Sequence, residues 1–205
     1  MPILINRHSG LEEQAVVVSP IEQQDIDCYE TQWRPILEAK VSALRAQGAL
    51  TAQILADHNV EDAHWGWPQK FAARSGQLQW NSYAVRCAGQ TQGLMYLNVL
   101  KRCRLPSQLN EHMIYVDLLA TAPWNRHVLT ANPLFRGTGL ILLTEAIQQS
   151  RVDGFDGRIA LHALPGAADF YEKRVGMRSM GADHAYDGLL YFEMTGADAN
   201  AFLSV

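Results

Sequence analysis

The segment spanning residues 113–164 constrains the fold of this 205-residue chain more than any other. It contains a strand pattern, "MIYVDLLAT" (113–121), then a glycine-bracketed turn that runs into a helix, "PLFRGTGLILLTEAI" (133–147), then a strand, "RIALHAL" (158–164). Apolar residues of the helix repeat at i, i+3, i+4 and i+7, which is the spacing of an amphipathic helix lying on a sheet. A strand–helix–strand crossover of this kind is expected to be right-handed.

The remaining segments also alternate between the strand period of two residues and the helical period of about 3.6 residues. We predict a strand at "AVVVS" (15–19), helices over 21–48 and 50–59, and a hairpin of "SYAVRCA" and "QGLMYLNVL" around "GQT". For residues 60–76 we predict irregular structure around Gly66 and Pro68. "GAADFYEKRV" (166–175) predicts a helix and "GLLYFEMT" (188–195) a last strand. With no repeat and no low-complexity linker, residues 1–205 are predicted to form a single mixed α/β domain.

Charge and composition exclude several classes of partner. The net charge is -4, so the chain lacks the broad basic surface that binds nucleic acid nonspecifically. The one basic cluster, "KRCR" (101–104), is interpreted as a solvated loop. The longest aliphatic run, "LILL", is far shorter than a membrane span of about 20 residues. We therefore expect neither nucleic acid nor a membrane as a partner.

Cysteine and histidine usage predicts a reduced, metal-free protein. Cys28, Cys87 and Cys103 are odd in number and form no C-x-x-C pair, which argues against disulfides or a zinc ribbon. They favour a cytoplasmic location. None of the three lies in a motif that would activate a thiolate as an acyl carrier. The seven histidines show no H-x-x-x-H or H-E-x-x-H spacing, so no metal site is predicted.

The glycine turn admits several interpretations. A Walker A loop fails, because no Lys follows Gly139, and a dinucleotide fingerprint fails at Leu142, where a third glycine belongs. A third interpretation is a phosphate cradle, in which unpaired N–H groups and the helix dipole at the helix N-terminus attract an anion. Arg136 would add charge-assisted bonds. The alternative is a tight strand-to-helix turn with incidental glycines.

Together "YVDLLATAPWN", "RGTGLILLTEAI" and "RIALHALPGAADFYEKRVGM" resemble the GNAT superfamily of acyl-CoA-dependent N-acyltransferases. The loop of that family begins with Gln or Arg, has Gly at its fourth position and a small residue at its sixth. Arg136 and Gly139 match, whereas Ile141 departs. "AADFYEKRVGM" is similar to the family's A-x-x-F-Y-E-K-x-G-F segment. The insert "PWNRHVLTANPLF" (123–135) is longer than is usual there, and is interpreted either as a wall of the acceptor pocket or as a surface loop.

The resemblance implies a fold and a co-substrate. The fold is α/β, with a mixed, mostly antiparallel central sheet that is splayed in the middle and flanked by helices. Residues 113–177 would form the acyl-CoA-binding core and residues 1–80 the acceptor-side half. Acetyl-CoA would be the co-substrate. The backbone of six loop residues would hold its pyrophosphate: Arg136, Gly137, Thr138, Gly139, Leu140 and Ile141. Three residues of the splayed strand would pair with its pantetheine arm: Leu119, Ala120 and Thr121.

Acyl transfer to an amine needs a base, an oxyanion donor and a proton for the leaving thiolate. By its position in the F-Y-E-K segment, Tyr171 inherits the role of acid. Asp117 is the candidate base, because a carboxylate among apolar strand neighbours is costly unless it is solvated, paired or used. Its alternative role is a solvated or arginine-paired Asp. Glu111, His112 and His162 are the other candidate bases, and His162 is also interpreted as a satisfied strand histidine.

The sequence thus predicts an N-acetyltransferase that acts by direct attack of a primary amine of a small molecule or peptide in a ternary complex. The alternative is a non-catalytic CoA-binding sensor or interaction protein, and a further one is a transferase of longer acyl groups. Family habit makes a homodimer possible. The acceptor pocket is expected in the N-terminal half, where four aromatic residues form either its wall or plain core: Trp65, Trp67, Trp80 and Tyr83.

Overall fold

The computed structural model describes residues 1–204. Its strands, in chain order, are β1 Ile3–Asn6, β2 Glu12–Gln14, β3 Val16–Val18, β4 Trp80–Cys87, β5 Gln90–Asn98, β6 Ile114–Thr121, β7 Phe135–Arg136, β8 Ile159–Ala163, β9 Arg178–Asp183 and β10 Leu189–Met194. Its α-helices are α1 Gln23–Cys28, α2 Arg34–Gln47, α3 Ala52–Asp57, α4 Trp67–Arg74, α5 Thr138–Val152 and α6 Gly196–Leu203. Every strand predicted from the sequence is present.

A seven-stranded sheet carries the order β3-β4-β5-β6-β8-β10-β9. The pairs β3/β4, β8/β10 and β9/β10 are antiparallel, whereas β6 and β8, joined through α5, are parallel. Parallel pairing runs from Ile114 opposite Ile159 to Val116 opposite Leu161, and β6 itself continues to Thr121. The prediction of an α/β fold with a mixed, mostly antiparallel, splayed central sheet flanked by helices is therefore confirmed.

The hairpin between β4 and β5 turns on Ala88 and Gly89, whose φ angles are 51° and 72°. Two consecutive left-handed residues make the tight turn that matches the twist of antiparallel strands. Both strands begin two residues earlier than predicted, at Trp80 and Gln90, and the turn needs only Ala88 and Gly89 rather than the whole of "GQT". β5 therefore begins at Gln90 and is buried from Thr91 to Leu97.

The helical region after β3 is also as predicted, except at residues 60–76. The stretch from Gln23 to Gln47 is helical throughout, with a π-helical turn at Tyr29–Trp33 between α1 and α2. The prediction of irregular chain for 60–76 was wrong, because a 3₁₀ turn and then α4 lie there. Pro68 lies in the first turn of α4, where a missing N–H costs nothing and a fixed φ favours the helix.

A second, three-stranded sheet has the order β2-β1-β7 and was not predicted. Ile5 of β1 lies opposite Glu12 on one side and Arg136 on the other. The two-residue strand β7 thus fixes the chain immediately before the glycine turn. Leu4 is fully buried and Phe135 is 2% exposed, so this small sheet has an apolar side.

The chain divides into two compact units. The first comprises Met1–Gln77, Ser82–Met95 and Leu119–Leu142, and the second comprises Leu78–Asn81, Tyr96–Leu118 and the chain from Leu143 onward. That residues 1–205 form a single domain stays a prediction. Over residues 1–204, no helix combines the length and the apolar run that crossing a bilayer requires.

Candidate functional site

The turn into α5 brings three backbone N–H groups together at one helix end. Gly137 has a φ of 107°, which a residue with a side chain rarely adopts. Its carbonyl accepts the N–H of Ile141 at 3.0 Å, which closes the first helical turn. The N–H groups of Thr138, Gly139 and Leu140 precede that bond and have no acceptor within the helix. Together with the helix dipole, they form a place for an anion.

Ile141 and Arg136 have different surroundings at this turn. The N–H of Ile141 is already used by Gly137, so its departure from the small residue of the GNAT loop falls on a position whose amide has a partner. Arg136 is exposed, and its backbone is held in register opposite Ile5. Its side chain therefore lies at the surface, two residues before α5 begins.

Gly93 of β5 explains why the helix can begin here. A Cβ on Gly93 would lie 2.5 Å from Thr138 Cγ2, 3.0 Å from Leu142 Cδ1 and 3.5 Å from the carbonyl oxygen of Ala120. The first turn of α5 and the end of β6 therefore both adjoin this bare position. Our sequence reasoning missed Gly93, although a glycine inside a strand pattern is a signal for close approach of another backbone.

Thr138 has a hydroxyl that nothing in residues 1–204 satisfies. The residue is 3% exposed, and its Oγ1 is buried without a hydrogen-bond partner. Buried polar atoms in native proteins almost always have a partner, and one without calls for an explanation. A ligand that accepts hydrogen bonds at the N-terminus of α5 would be such an explanation.

The insert at 123–135 is fastened by a buried arginine rather than being a plain surface loop. Arg126 is 6% exposed, and its Nη1 and Nη2 contact the two carboxylate oxygens of Asp62 at 2.7 and 2.6 Å. Its Nε and Nη2 also donate to the carbonyl of Thr121 at 2.9 and 2.6 Å, and Nη1 donates to the carbonyl of Asn59. The end of β6 is thereby tied to the segment before α4.

A second buried polar group holds the same insert. Gln92 of β5 is fully buried, and its Oε1 accepts from Trp124 Nε1 and from Asn125 Nδ2, each at 2.9 Å. Asn125 Oδ1 in turn accepts the N–H of Phe135. The two ends of the insert are thus joined by side-chain hydrogen bonds. The Thr121 carbonyl is held by Arg126.

Tyr171 lies in the second unit, in the π-helical segment Phe170–Val175. It is 7% exposed and packs edge-on against Phe170 and tilted against Phe192. Burial raises the pKa of the Tyr171 phenol. The phenol is therefore protonated at neutral pH, which a general acid requires.

The candidate bases differ in their surroundings. Asp117 is half-buried on β6, one residue beyond the last pair with β8. Glu111 is exposed and lies 3.7 Å from Arg158, and the ring of His112 stacks on Phe155. His162 lies in a hydrogen-bonded cluster with Tyr115 and Asp183. Within residues 1–204, no three His, Cys, Asp or Glu side chains are grouped as a metal site needs.

An open cleft of about 550 Å³ lies in the first unit, and Trp65 is one of its walls. Tyr29 also lines it and donates its hydroxyl to the carbonyl of Trp65. Of the other aromatic residues expected around an acceptor pocket, Trp67 and Tyr83 are 1% and 7% exposed and belong to the core. The charged residues of the cleft are Glu30, Arg34, Glu38 and Lys70, and His64 also lines it.

Comparisons with known proteins identify the fold. No protein-family model matches this chain, and no curated protein matches it. Among solved structures, the PaiA N-acetyltransferase of Thermoplasma acidophilum, solved in complex with coenzyme A, matches 89% of this chain and 99% of its own at a TM-score of 0.56 and 13% identity. FeeM, an N-acyl amino acid synthase from uncultured soil microbes, matches 92% of this chain and 94% of its own at 0.54 and 11%.

A third structure carries the family name. A Desulfovibrio desulfuricans protein classed as a GNAT-family acetyltransferase matches 89% of this chain and 99% of its own, with a TM-score of 0.53 and 14% identity. The match extends over nearly the whole of each of these three proteins, so it covers the complete fold and not a shared fragment. This chain has the fold of the GNAT acetyltransferases.

Proposed function

We propose that this chain is an N-acetyltransferase that transfers an acetyl group from acetyl-CoA to a primary amine of a small molecule or peptide. The amine would attack the thioester directly, with both substrates bound. The proposal rests on one observation, the N-terminus of α5. Three N–H groups without helical acceptors, a buried Thr138 hydroxyl without a partner and the bare surface of Gly93 meet there.

These features fit a pyrophosphate. Its oxygens would accept hydrogen bonds from the N–H groups of Thr138, Gly139 and Leu140, and they would carry the negative charge that a helix N-terminus stabilises. Arg136, exposed beside the turn, supplies a positive charge. Beyond the paired part of β6, the backbone of Leu119, Ala120 and Thr121 offers hydrogen bonds to an extended arm. CoA supplies the thioester that makes the acetyl group transferable.

Tyr171 is assigned to the departing thiolate. A phenol is protonated at neutral pH, so Tyr171 has a proton to give to sulfur as the bond to carbon breaks, although the burial that raises its pKa makes it a weaker acid. Its own proton is then restored from solvent. The same residue would be dispensable for binding, which separates its role from that of the α5 turn.

The acceptor amine is assigned to the N-terminal half. The cleft lined by Tyr29 and Trp65 offers an aromatic surface, and its carboxylates Glu30 and Glu38 are paired with Arg34. Aromatic faces attract ammonium groups. This supports an amine of low molecular weight or a peptide side chain as the acceptor.

The deciding experiment is calorimetric titration of the purified protein with acetyl-CoA and with CoA. Wild type should bind both in the micromolar range, while Arg136→Ala weakens binding and Gly139→Glu, which places a carboxylate at the helix N-terminus, abolishes it. Ala46→Glu is the control, because it adds the same carboxylate at an exposed position of α2 that supplies none of the proposed contacts. Absence of binding to wild type would refute the proposal.

Turnover separates this function from its alternatives. A non-catalytic CoA-binding protein would bind CoA equally but release no thiol from acetyl-CoA in the presence of any of a panel of primary amines. A panel of acyl-CoA donors of increasing chain length addresses transfer of longer acyl groups, which the fold match to an N-acyl amino acid synthase makes worth including. Sedimentation would test whether the protein forms a homodimer.

A further inference from the structure

A chain of hydrogen bonds connects three strands of the second unit. Tyr115 on β6 has its Oη 2.7 Å from Nδ1 of His162 on β8. Nε2 of the same ring lies 3.0 Å from Oδ2 of Asp183, the last residue of β9. The register places Tyr115 opposite Ala160, and His162 follows two residues later on the same face. The sheet itself therefore sets the spacing of this chain.

The direction of each hydrogen bond follows from chemistry. Asp183 also pairs with the guanidinium of Arg104, and the hydrogen bonds from Arg104 and His162 hold the pKa of its carboxyl far below the usual range. An ionised carboxylate only accepts, so Nε2 of His162 carries the hydrogen. Nδ1 of the neutral ring then holds a lone pair, and Tyr115 donates to it. The phenol oxygen keeps lone pairs for a further donor.

The surroundings favour a neutral imidazole in the resting protein. The His162 side chain is 3% exposed, and its ring stacks on Tyr186 with 3.8 Å between ring centroids. Burial lowers the pKa of His162, and Asp183 partly opposes that shift. The titratable and charged groups around the ring are Tyr115, Asp183, Tyr186, Tyr191, Lys101 and Arg104. One step further out, Asp117 acts on Tyr115, and Glu193 and Cys103 act on Tyr191.

Asp117 is a half-buried carboxylate beside this chain of hydrogen bonds. It lies two residues after Tyr115 on the same face of β6, just beyond the last residue pair with β8. Its charge is felt at Tyr115, whose pKa is raised by burial first and then by Tyr186 and Asp117. A half-buried carboxylate here would draw an ammonium group towards the phenol oxygen.

Building on the proposed function, we propose that Tyr115, His162 and Asp183 form its base, as a proton relay. The amine N–H bond breaks as the proton passes to Tyr115 Oη, and the phenol proton passes at the same time to Nδ1 of His162. The electron pair of the broken bond stays on the amine nitrogen, which forms the new bond to the acyl carbon. The resulting imidazolium is stabilised by Asp183 and returns its proton to solvent. Asp117 positions the ammonium and is not the base.

The first test needs no acceptor. Nitrogen-15 NMR of the histidine rings should show His162 with hydrogen on Nε2 and with a pKa below that of free histidine. Asp183→Asn should lower that pKa further, because the anion that stabilises imidazolium is gone. Tyr115→Phe should raise it, because the donor to the neutral ring is gone. A ring with hydrogen on Nδ1, or one protonated throughout pH 5–8, would overturn the relay.

The second test uses acetyl-CoA and the best acceptor from the amine panel. Tyr115→Phe and His162→Gln should each lower kcat by about 10²–10⁴, and the double variant should be no worse than either, since the two act as one unit. Tyr186→Phe is the matched control that removes a phenol beside the same ring and should keep wild-type rates.

Calorimetry with CoA keeps this proposal separable from the proposed function. All these variants should bind CoA as wild type does. If wild type fails to bind CoA, the proposed function fails. If wild type binds and turns over while Tyr115→Phe and His162→Gln keep its kcat and pH profile, only the relay fails. Loss of activity confined to Asp117→Asn would return the base to Asp117.

Discussion

The turn at the N-terminus of α5 and the Tyr115–His162–Asp183 relay are built from different materials. At the turn the functional groups are backbone N–H groups, the bare surface of Gly93 leaves room for the first turn of α5, and Gly137 supplies the left-handed φ that the turn needs. In the relay every functional group is a side chain, and the strands serve to hold them 2.7 and 3.0 Å apart.

That difference determines how each region can fail. A backbone site loses function when added atoms or a shifted helix block it, so damage should appear as weaker CoA binding. A side-chain site loses function when one group is deleted with the fold intact, so damage should appear in kcat and its pH dependence. The proposed acid, Tyr171, belongs to the second kind although it lies outside the relay.

The largest effect is expected from Tyr171→Phe. Loss of the proton donor to the thiolate should lower kcat by about 10²–10⁴, while the calorimetric Kd for CoA stays at its wild-type value. Stopped-assay kinetics and titration of the same preparation check both halves. Tyr96→Phe, another buried tyrosine to phenylalanine change, is the control. A Tyr171→Phe protein with wild-type kcat would remove this residue from the chemistry.

The next effect concerns the support of the backbone site. Asp62→Ala should lower the free energy of unfolding by about 3–5 kcal/mol, because Arg126 is left buried and charged without its partner. Urea unfolding measures this. CoA binding should weaken as well, since the same arginine holds the carbonyl of Thr121.

A paired replacement separates the two consequences. Asp62→Leu with Arg126→Met should recover most of the stability, as apolar substitutes for buried ion pairs often do, yet leave CoA binding weak. If CoA binding recovers with the stability, the contact to Thr121 contributes nothing to the site.

A smaller effect is expected at Gly93. Gly93→Ala forces Thr138 and Leu142 to move, which should cost about 1–3 kcal/mol of unfolding free energy, and it should weaken CoA binding by displacing the first turn of α5. Thr138→Ser removes the methyl group that an alanine would meet and keeps the hydroxyl. The double variant should therefore regain CoA affinity, and its failure to do so would place the damage elsewhere.

The same contrast explains what the sequence could predict. Arg136, Gly137 and Gly139 lie together in a local motif, so the turn and the helix after it were found from spacing alone. The Arg126–Asp62 pair was missed, because a separation of 64 residues leaves no local pattern. Gly93 has a local signal as a glycine within a strand, but that signal does not say which element approaches it. The alternation of β6 predicts that Tyr115 lies on the opposite face of the sheet from Ile114 and Val116. Only the register with β8 shows that this face also carries His162.

Short elements were missed for a related reason. β1, β2 and β7 have four, three and two residues, which is too few to show a period of two against the background of loops. They form only because their neighbours supply the hydrogen bonds. Conversely, α4 was hidden by Gly66 and Pro68, which indicate a loop when read alone and a helix start when read together.

The smallest effect tests whether lowering the pH changes stability and activity through different residues. Asp25 is fully buried under β4 and β5, where Arg86 contacts both of its oxygens and Thr91 donates to Oδ1. Burial alone would raise the pKa of Asp25, but the hydrogen bonds from Arg86, Glu22 N–H and Thr91 outweigh it, so the net shift is downward. A carboxyl with a lowered folded pKa contributes stability that is complete above its unfolded value and is lost as pH falls through the folded value.

Asp25→Asn should therefore be less stable than wild type at pH 7, and the gap should narrow as pH falls below about 4, the usual range for Asp. Urea unfolding at several pH values measures the gap. The acid limb of activity, which the relay assigns to His162, should be the same in wild type and Asp25→Asn, because this ion pair supports the fold of the first unit and takes no part in proton transfer. A stability gap that stays constant from pH 7 to pH 3 would show that the Asp25 charge contributes nothing. A shifted acid limb of activity would show that this ion pair also influences proton transfer. The backbone site and the side-chain site would then not respond to acid separately.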